Sequence, residues 1–480
     1  MATHQHGNYP PVSITNTVCV YPKPSRPHKL LPLSNLDRQC PMLMYLVFFY
    51  KPSHSHTQYP SLGSVFNCLK SGLEETFSAW YPAAGRLRAN PSDGKLDLWC
   101  NNGGAILVEA VTQVKISELG DLSQYNEFFE GLVFKPVCSD NFSEMPLLVA
   151  QVTRFGCGGY SVGVGTSHSL FDGPASFNFL SAWAANTPMS GNIRGHEQQH
   201  KPVHERGTLL LGHFQTQKGK GIARTLQNSN PMMMVAAIAH LYQLIKQAAM
   251  DLDGKFAKRT QLISEAGCPN QENFALKTLH LSAAMIENFR RKISSASRTG
   301  ISCSSFEVVA AHLWKARTKA LGLKNERLVC LQFAVDTRNK LVPPLPKNFS
   351  GNAYVLASVA LTAAELEEES HEAIVEKIRE AKNSISNNYV QAYINALESS
   401  QATLPPLKEL TIVSDWTRMP FHRVKFLNQE AAYASPLVPP LPQVAYFMQS
   451  PTESGGIDMR IGLHPQIFNA FCHYFLTNFQ

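Results

Sequence analysis

At 480 residues the chain is too long for one ordinary hydrophobic core, and two domains of about 200 residues each are the natural expectation. With 44% hydrophobic and 16% charged residues it belongs with globular chains rather than disordered ones. Its formal charge of +7 is spread without a dense basic block beyond Arg290–Lys292, which argues against nucleic-acid binding while leaving room for an anionic co-substrate. The ten cysteines form no C-x-x-C pair, so zinc-site spacing is absent and a disulfide scaffold is disfavoured at this length. The first residues, MATHQHGNYPPVS, hold no apolar run of the secretory kind. The longest apolar runs, Met42–Tyr50 and Met232–Ala239, are too short for stable membrane insertion. A cytoplasmic location and a monomeric state are the expectations.

In chain order, residues 12–21 read as an opening strand and residues 22–41 as a turn with a short helix that includes Leu33-Ser-Asn-Leu-Asp37. Met42–Tyr50 reads as a buried strand. Leu62, Val65, Phe66, Leu69, Leu73, Phe77 and Trp80 are spaced for a helix that Tyr81-Pro82 ends. Strands follow at 96–99, after the Ser92-Asp93-Gly94 turn, and at 105–112. Residues 146–156 and 159–166 read as a hairpin. Residues 186–230 are polar and aperiodic, and are expected to form a long, partly mobile crossover.

Beyond it the pattern predicts a helix at 232–249, a loop at 250–275, a strand at 276–281, and a helix capped by Ser282. Ser304-Ser-Phe-Glu307 is a capping box. A strand at 327–335, a rigid proline loop at 341–352 and a strand at 353–361 come next. Thr362-Ala-Ala-Glu365 caps a charged helix expected to reach Ile385. Strands at 443–450 and 456–463 form a hairpin, and Pro465 opens the last helix. The class is α/β, with boundaries expected at 1–185, 186–230 (the crossover) and 231–480.

The chemistry points to GYSVGVGTSHSLFDG, residues 159–173. Tyr160, Val162 and Val164 alternate with small residues as in a strand, and PASFNFLSAWAA begins a helix with Pro174 in its first turn. His168 therefore falls on the connecting loop. Imidazole is the side chain best suited to take and return a proton near neutral pH. Asp172, four residues on, either orients that ring or holds the loop. Gly163, Gly165 and Gly173 keep side-chain bulk away, so that a backbone or a ligand can approach. Gly159-Tyr-Ser-Val-Gly163 also matches the G-x-S-x-G elbow of esterases, but the strand pattern runs past Ser161.

Four segments taken together resemble the BAHD family of coenzyme A-dependent plant acyltransferases. They are Tyr81-Pro-Ala-Ala-Gly-Arg-Leu87, His168-Ser-Leu-Phe-Asp172-Gly173, Val335-Asp-Thr-Arg338 with Pro343-Pro-Leu-Pro346 and Gly351-Asn352, and Trp416-Thr-Arg-Met-Pro-Phe421. The resemblance implies two similar chloramphenicol acetyltransferase-like domains joined by a long crossover, with the active-site channel at their interface. It implies acyl-CoA as co-substrate, no permanently bound cofactor and no metal, and a small-molecule alcohol or amine as acceptor. Hydroxycinnamoyl, acetyl and fatty acyl donors all fit.

On this resemblance His168 is the general base. Ser414, two positions before the tryptophan, is the candidate oxyanion donor, with a simple turn hydroxyl as the alternative. Trp416 is a wall of the substrate channel. Asp172, Arg338 and Gly173 are structural at the site, with Arg338 the expected partner of Asp172.

One segment departs from the pattern. Where the family carries Asp-Phe-Gly-Trp-Gly, this chain has Lys425-Phe-Leu-Asn-Gln429. Lys425 then either meets a CoA phosphate or is a solvated lysine. The departure also motivates a rival reading, a non-catalytic BAHD-like binding or scaffold protein of acyl or cuticle metabolism.

Overall fold

The computed structural model describes residues 9–40, 42–52, 61–136, 142–187, 201–210, 274–296, 303–397, 409–437 and 444–477. The chain divides into two compact units that are not consecutive stretches. Unit 1 is Met1–Pro32, Met42–His204 and Phe421–Pro439; unit 2 is Leu33–Pro41, Glu205–Pro420 and Pro440–Gln480. The helix expected at 232–249 and most of the loop at 250–275 lie outside the described residues.

Unit 1 is built on strands β1 (Ser13–Val20), β3 (Leu43–Tyr50), β6 (Ala105–Val111), β7 (Leu148–Arg154), β8 (Tyr160–Ser167) and β13 (Tyr433–Pro436). They form one six-stranded sheet in the order β1-β6-β7-β8-β3-β13. β6 and β7 run parallel, and the other pairs are antiparallel. A three-stranded sheet adds β2 (Lys29–Leu31), β4 (Arg86–Ala89) and β5 (Leu96–Cys100). Helices α2 (Leu62–Ala79) and α3 (Gly173–Ala185) pack together, and Trp183 of α3, fully buried, donates its indole N–H to the Leu69 carbonyl at 3.0 Å. β13 is short and ends in Pro436 on the outer edge, where a missing N–H costs no ladder bond.

Unit 2 carries the second six-stranded sheet. Its strands are β9 (Ala275–Leu281), β10 (Leu328–Asp336), β11 (Tyr354–Thr362), β12 (Leu410–Asp415), β14 (Val444–Gln449) and β15 (Ile457–Leu463), ordered β11-β10-β12-β14-β15-β9. One face is covered by α4 (Ala283–Ala296), α5 (Ser305–Ala320), α7 (His371–Asn383) and α9 (Pro465–Thr477), which share one core with Leu331, Val413, Phe447 and Met459. The capping box at Ser304 is present, with the Ser304 hydroxyl accepting from the Glu307 amide and the Glu307 carboxylate from the Ser304 amide.

The structure departs from the periodicity in several places. The charged helix expected from Thr362 to Ile385 is broken. α6 (Ala363–Glu368) stops, and Ser370 caps α7 by accepting from the Ala373 amide at 3.1 Å. A serine that can bond a helix-start amide ends one helix and begins the next. Helix α8 (Asn387–Ala396) and strands β2, β12 and β13 were not expected, being short or lacking a clean period. Within the crossover, residues 201–210 are only partly exposed. His204, Arg206 and Leu209 are buried, and the His204 ring bonds the Ala79 carbonyl at 2.8 Å.

The glycines of β8 serve packing. A Cβ on Gly163 would lie 2.1 Å from the Leu132 carbonyl oxygen, and one on Gly165 would lie 2.5 Å from the Tyr45 ring. Backbone on one side and an aromatic ring on the other occupy the space. Gly163→Ala is expected to destabilise by about 1–3 kcal/mol through overpacking, since a carbonyl oxygen held in the chain cannot swing aside. A fall in the thermal midpoint with unchanged far-ultraviolet dichroism at 20 °C checks it.

Candidate active site

In unit 1, β8 ends at Ser167 and the chain turns through residues 168–170 into α3. The His168 amide donates to the Met42 carbonyl at 2.9 Å, which ties the loop to the start of β3. The Leu170 amide donates to the Ser167 carbonyl at 3.0 Å and closes the turn. Its neighbours Ser167, Ser169, Leu170 and Phe171 are all buried, whereas His168 is half-buried. The backbone is thus held on both sides, and the residue itself is only partly buried.

Asp172 is 3% exposed and is the N-cap of α3, its carboxylate accepting from the Ala175 amide at 3.1 Å. Gly173 and Pro174 open the helix, where the fixed φ of proline suits the first turn. The carboxylate of the His-x-x-x-Asp stretch thus anchors the loop that carries the histidine. Ser161 lies inside β8, fully buried and opposite Phe49 of β3. An esterase elbow needs its serine exposed on a sharp turn, so the G-x-S-x-G match is not one.

In unit 2, Ser414 is the fifth residue of β12 and pairs with Tyr446 of β14. Its Oγ accepts from the Trp416 indole N–H at 2.9 Å. The indole is a donor only, so the bond leaves the serine proton free to turn toward another acceptor. Trp416 is held by its own amide, which donates to the Phe447 carbonyl at 2.7 Å, and its ring lies 4.8 Å from that of Tyr446. Arg338 reaches back along its own loop. It donates to the Gly351 carbonyl at 3.1 Å and to the Asp336 carboxylate at 3.2 Å, and its guanidinium sits 5.8 Å from the Phe349 ring centre.

The segment that departs from the family pattern belongs to unit 1. Phe426, the one residue it shares with that pattern, is fully buried and edge-on to Trp183 at 4.9 Å and to Phe48 at 5.8 Å. Leu427 and Gln429 stand at the two glycine positions, and Asn428, at the tryptophan position, adopts φ 59°, a left-handed conformation that asparagine tolerates better than most side chains. Lys425 is exposed and lies 3.5 Å from Glu430. The turn and its aromatic anchor survive the loss of both glycines.

Sequence reasoning missed a buried carboxylate, Asp37, which gathers donors from three parts of unit 2. The proline-and-polar stretch around it hid the signal. No cluster of three or more metal-capable side chains is found among the described residues, and no helix among them is long and apolar enough to cross a membrane.

The sequence profile of the Transferase family matches residues 10–476. The chain is 51% identical to Brassinosteroid-related acyltransferase 1 of Arabidopsis thaliana, over 97% of this chain and 98% of that one. It is a BAHD acyltransferase. Another BAHD relative is the Omega-hydroxypalmitate O-feruloyl transferase of Arabidopsis thaliana, 28% identical over 92% of this chain and 88% of that one. Among solved structures the BAHD enzyme vinorine synthase superposes with a TM-score of 0.69 at 18% identity, covering 97% of this chain and 98% of its own. TRI101 of F. graminearum, solved with coenzyme A and T-2 mycotoxin, gives 0.66 at 14% identity, covering 92% and 96%. At such identities these two likenesses speak to the fold, two sheet-rich α/β domains.

Proposed function

We propose that this BAHD acyltransferase moves an acyl group from a coenzyme A thioester to a hydroxyl of a brassinosteroid-related acceptor, with His168 as general base and Ser414 as oxyanion donor. The acceptor class rests on the relative that is 51% identical. The observation that carries the base assignment is that His168 is half-buried on a loop whose backbone is tied at Met42 and capped at Asp172. In the reaction the acceptor oxygen bonds to the thioester carbon as its proton passes to His168. The carbonyl electron pair moves onto oxygen, where the Ser414 hydroxyl donates to it. When the carbonyl re-forms, the C–S bond breaks and the departing CoA sulfur takes the proton back from His168. Acyl-CoA is a co-substrate, and no enzyme nucleophile takes part.

Trp416 has two tasks in this reading: it holds the Ser414 oxygen and walls the substrate channel. Asp172 and Gly173 set the loop, and Arg338 is structural at the site. The chain acts as a cytoplasmic monomer.

The test is a panel of acetyl-CoA, a hydroxycinnamoyl-CoA and palmitoyl-CoA against a brassinosteroid, ω-hydroxypalmitate and a long-chain fatty alcohol. Free CoA release and product mass are the readouts. Acceptor-dependent release with a brassinosteroid supports the proposal, and release only with another acceptor overturns the acceptor class. Binding of acyl-CoA with no release for any pair favours the scaffold reading that the Lys425 segment motivates.

A further inference from the structure

The Asp37 carboxylate, fully buried, accepts from donors in three separate segments of unit 2. One oxygen takes the Asn352 amide at 3.0 Å and the Asn352 side-chain N–H at 3.1 Å. The other takes the Ser34 amide at 3.0 Å, the Ser34 hydroxyl at 2.7 Å and the Arg206 Nε at 3.3 Å. An ionised carboxylate offers roughly four lone-pair sites, so this one is saturated. Its neighbours leave no slack. A Cβ on Gly351 would lie 2.7 Å from the Phe349 ring and 3.0 Å from the Arg206 guanidinium. The Phe349 ring has the guanidinium carbons of Arg206 and Arg338 at 5.7 and 5.8 Å.

Gly351 lies between these two systems. Its carbonyl receives the Arg338 guanidinium at 3.1 Å, and the next residue, Asn352, is held by Asp37 through both N–H groups. The Thr337 amide and hydroxyl, beside Arg338, both donate to the Ala353 carbonyl, at 2.7 and 2.8 Å. The direction of the Gly351 carbonyl, and so the seat of Arg338, is therefore set by a residue more than 300 positions earlier in the chain. A charge buried with saturated hydrogen bonds fixes geometry more than it adds stability.

We propose that Asp37 is a positioning residue for acyl transfer, acting through Asn352 and Gly351 to hold the Arg338 guanidinium in place. The inference rests on the reading above, in which Arg338 is structural at the site. Such a role touches the chemical step and leaves substrate binding alone, so kcat falls while KM holds. A merely structural residue lowers the amount of folded enzyme, and its effect is independent of Arg338.

The experiment is a double-mutant cycle on the full chain with Asp37→Asn and Arg338→Lys, using the donor and acceptor of the panel that give the largest CoA release. Rates are expressed per folded molecule. Asp37→Asn is expected to lower kcat about tenfold with both KM values within about threefold, and to cost at most about twofold more in the Arg338→Lys background. An equal loss in both backgrounds, or a raised KM with kcat intact, overturns the inference.

If Asp37→Asn does not fold, Asn352→Ala takes its place. It deletes the side-chain donor and keeps the backbone bond, and the same non-additivity is expected of it on a smaller loss. Additive losses in that cycle overturn the inference as well. Wild-type turnover that His168→Ala abolishes, together with additive losses, sinks the positioning role alone. Absence of wild-type turnover across the panel sinks the activity reading and the positioning role with it.

Discussion

His168→Ala is expected to lower kcat by a factor on the order of 10²–10⁴ while leaving the KM for acyl-CoA within a few fold. The deleted imidazole is the one group assigned to take the acceptor proton, and the alanine variant leaves that step to water. The variant should fold. The amide of residue 168 still donates to the Met42 carbonyl, the Leu170 amide still closes the turn, and Asp172 still caps the helix that follows. His168 is half-buried, so its truncation is not that of a fully buried core side chain. Steady-state CoA release over pH 5.5–9 separates the base from a structural role. In the wild type the acidic limb of kcat/KM reports deprotonation of the base, and in the variant that limb should vanish with the rate. Full activity in His168→Ala would remove the base assignment, whatever the family.

Acidification to pH 5 is expected to cost unit 2 about 2 kcal/mol through His312 alone, rising to about 3 kcal/mol below pH 4. His312, on α5, is buried with its Nε2 at 2.7 Å from the Phe475 carbonyl of α9. A carbonyl only accepts, so Nε2 carries the proton and Nδ1 is left to accept from the His371 Nε2 at 3.1 Å. Both rings pack edge-on against Phe289 of α4, 5.1 Å away in each case. Burial, the first cause, brings His312 down to about 4, partly offset by the Phe475 carbonyl and aided by the Lys315 charge. His371 falls to about 3, from burial first, then the His312 and Lys315 charges.

The sign follows from these directions. The unfolded imidazole binds a proton near pH 6.5 and the folded one only near 4, so the unfolded state holds more protons between those values. Stability therefore falls as pH drops through that window and is insensitive to His312 above it. Thermal midpoints from pH 7.5 to 5 should show the effect. The fall in wild type should exceed that of His312→Gln by about 4–8 °C, since glutamine can donate to the Phe475 carbonyl without titrating. Equal slopes in the two proteins would mean that the pair carries no part of the acid response.

The elements that were legible in the sequence are those made by local contacts. The capping box at Ser304, the alternation of residues 160–164, the helical spacing from Leu62 to Phe77 and the loop position of His168 each depend on residues a few positions apart. Such contacts form whatever the rest of the chain does, so a pattern of residue types reveals them. The same holds for the four segments that marked the family, whose order along the chain was enough to name it. Short elements escaped, because β12, β13 and α8 are too brief for a period to show against neighbouring loops.

Only the tertiary structure decided which segments meet. Residues 33–41 leave unit 1 to supply unit 2 with Asp37, and residues 421–439 return to unit 1 to give β13 and the Phe426 anchor. Nothing local to Asp37 announces its partners, since Arg206 and Asn352 lie 169 and 315 residues away. A buried charge is satisfied by whatever donors folding brings to it, and composition near the charge carries no record of them. The same physics separates His168, which could be read from its strand and helix, from Ser414, whose bond with the Trp416 indole shows only in the fold.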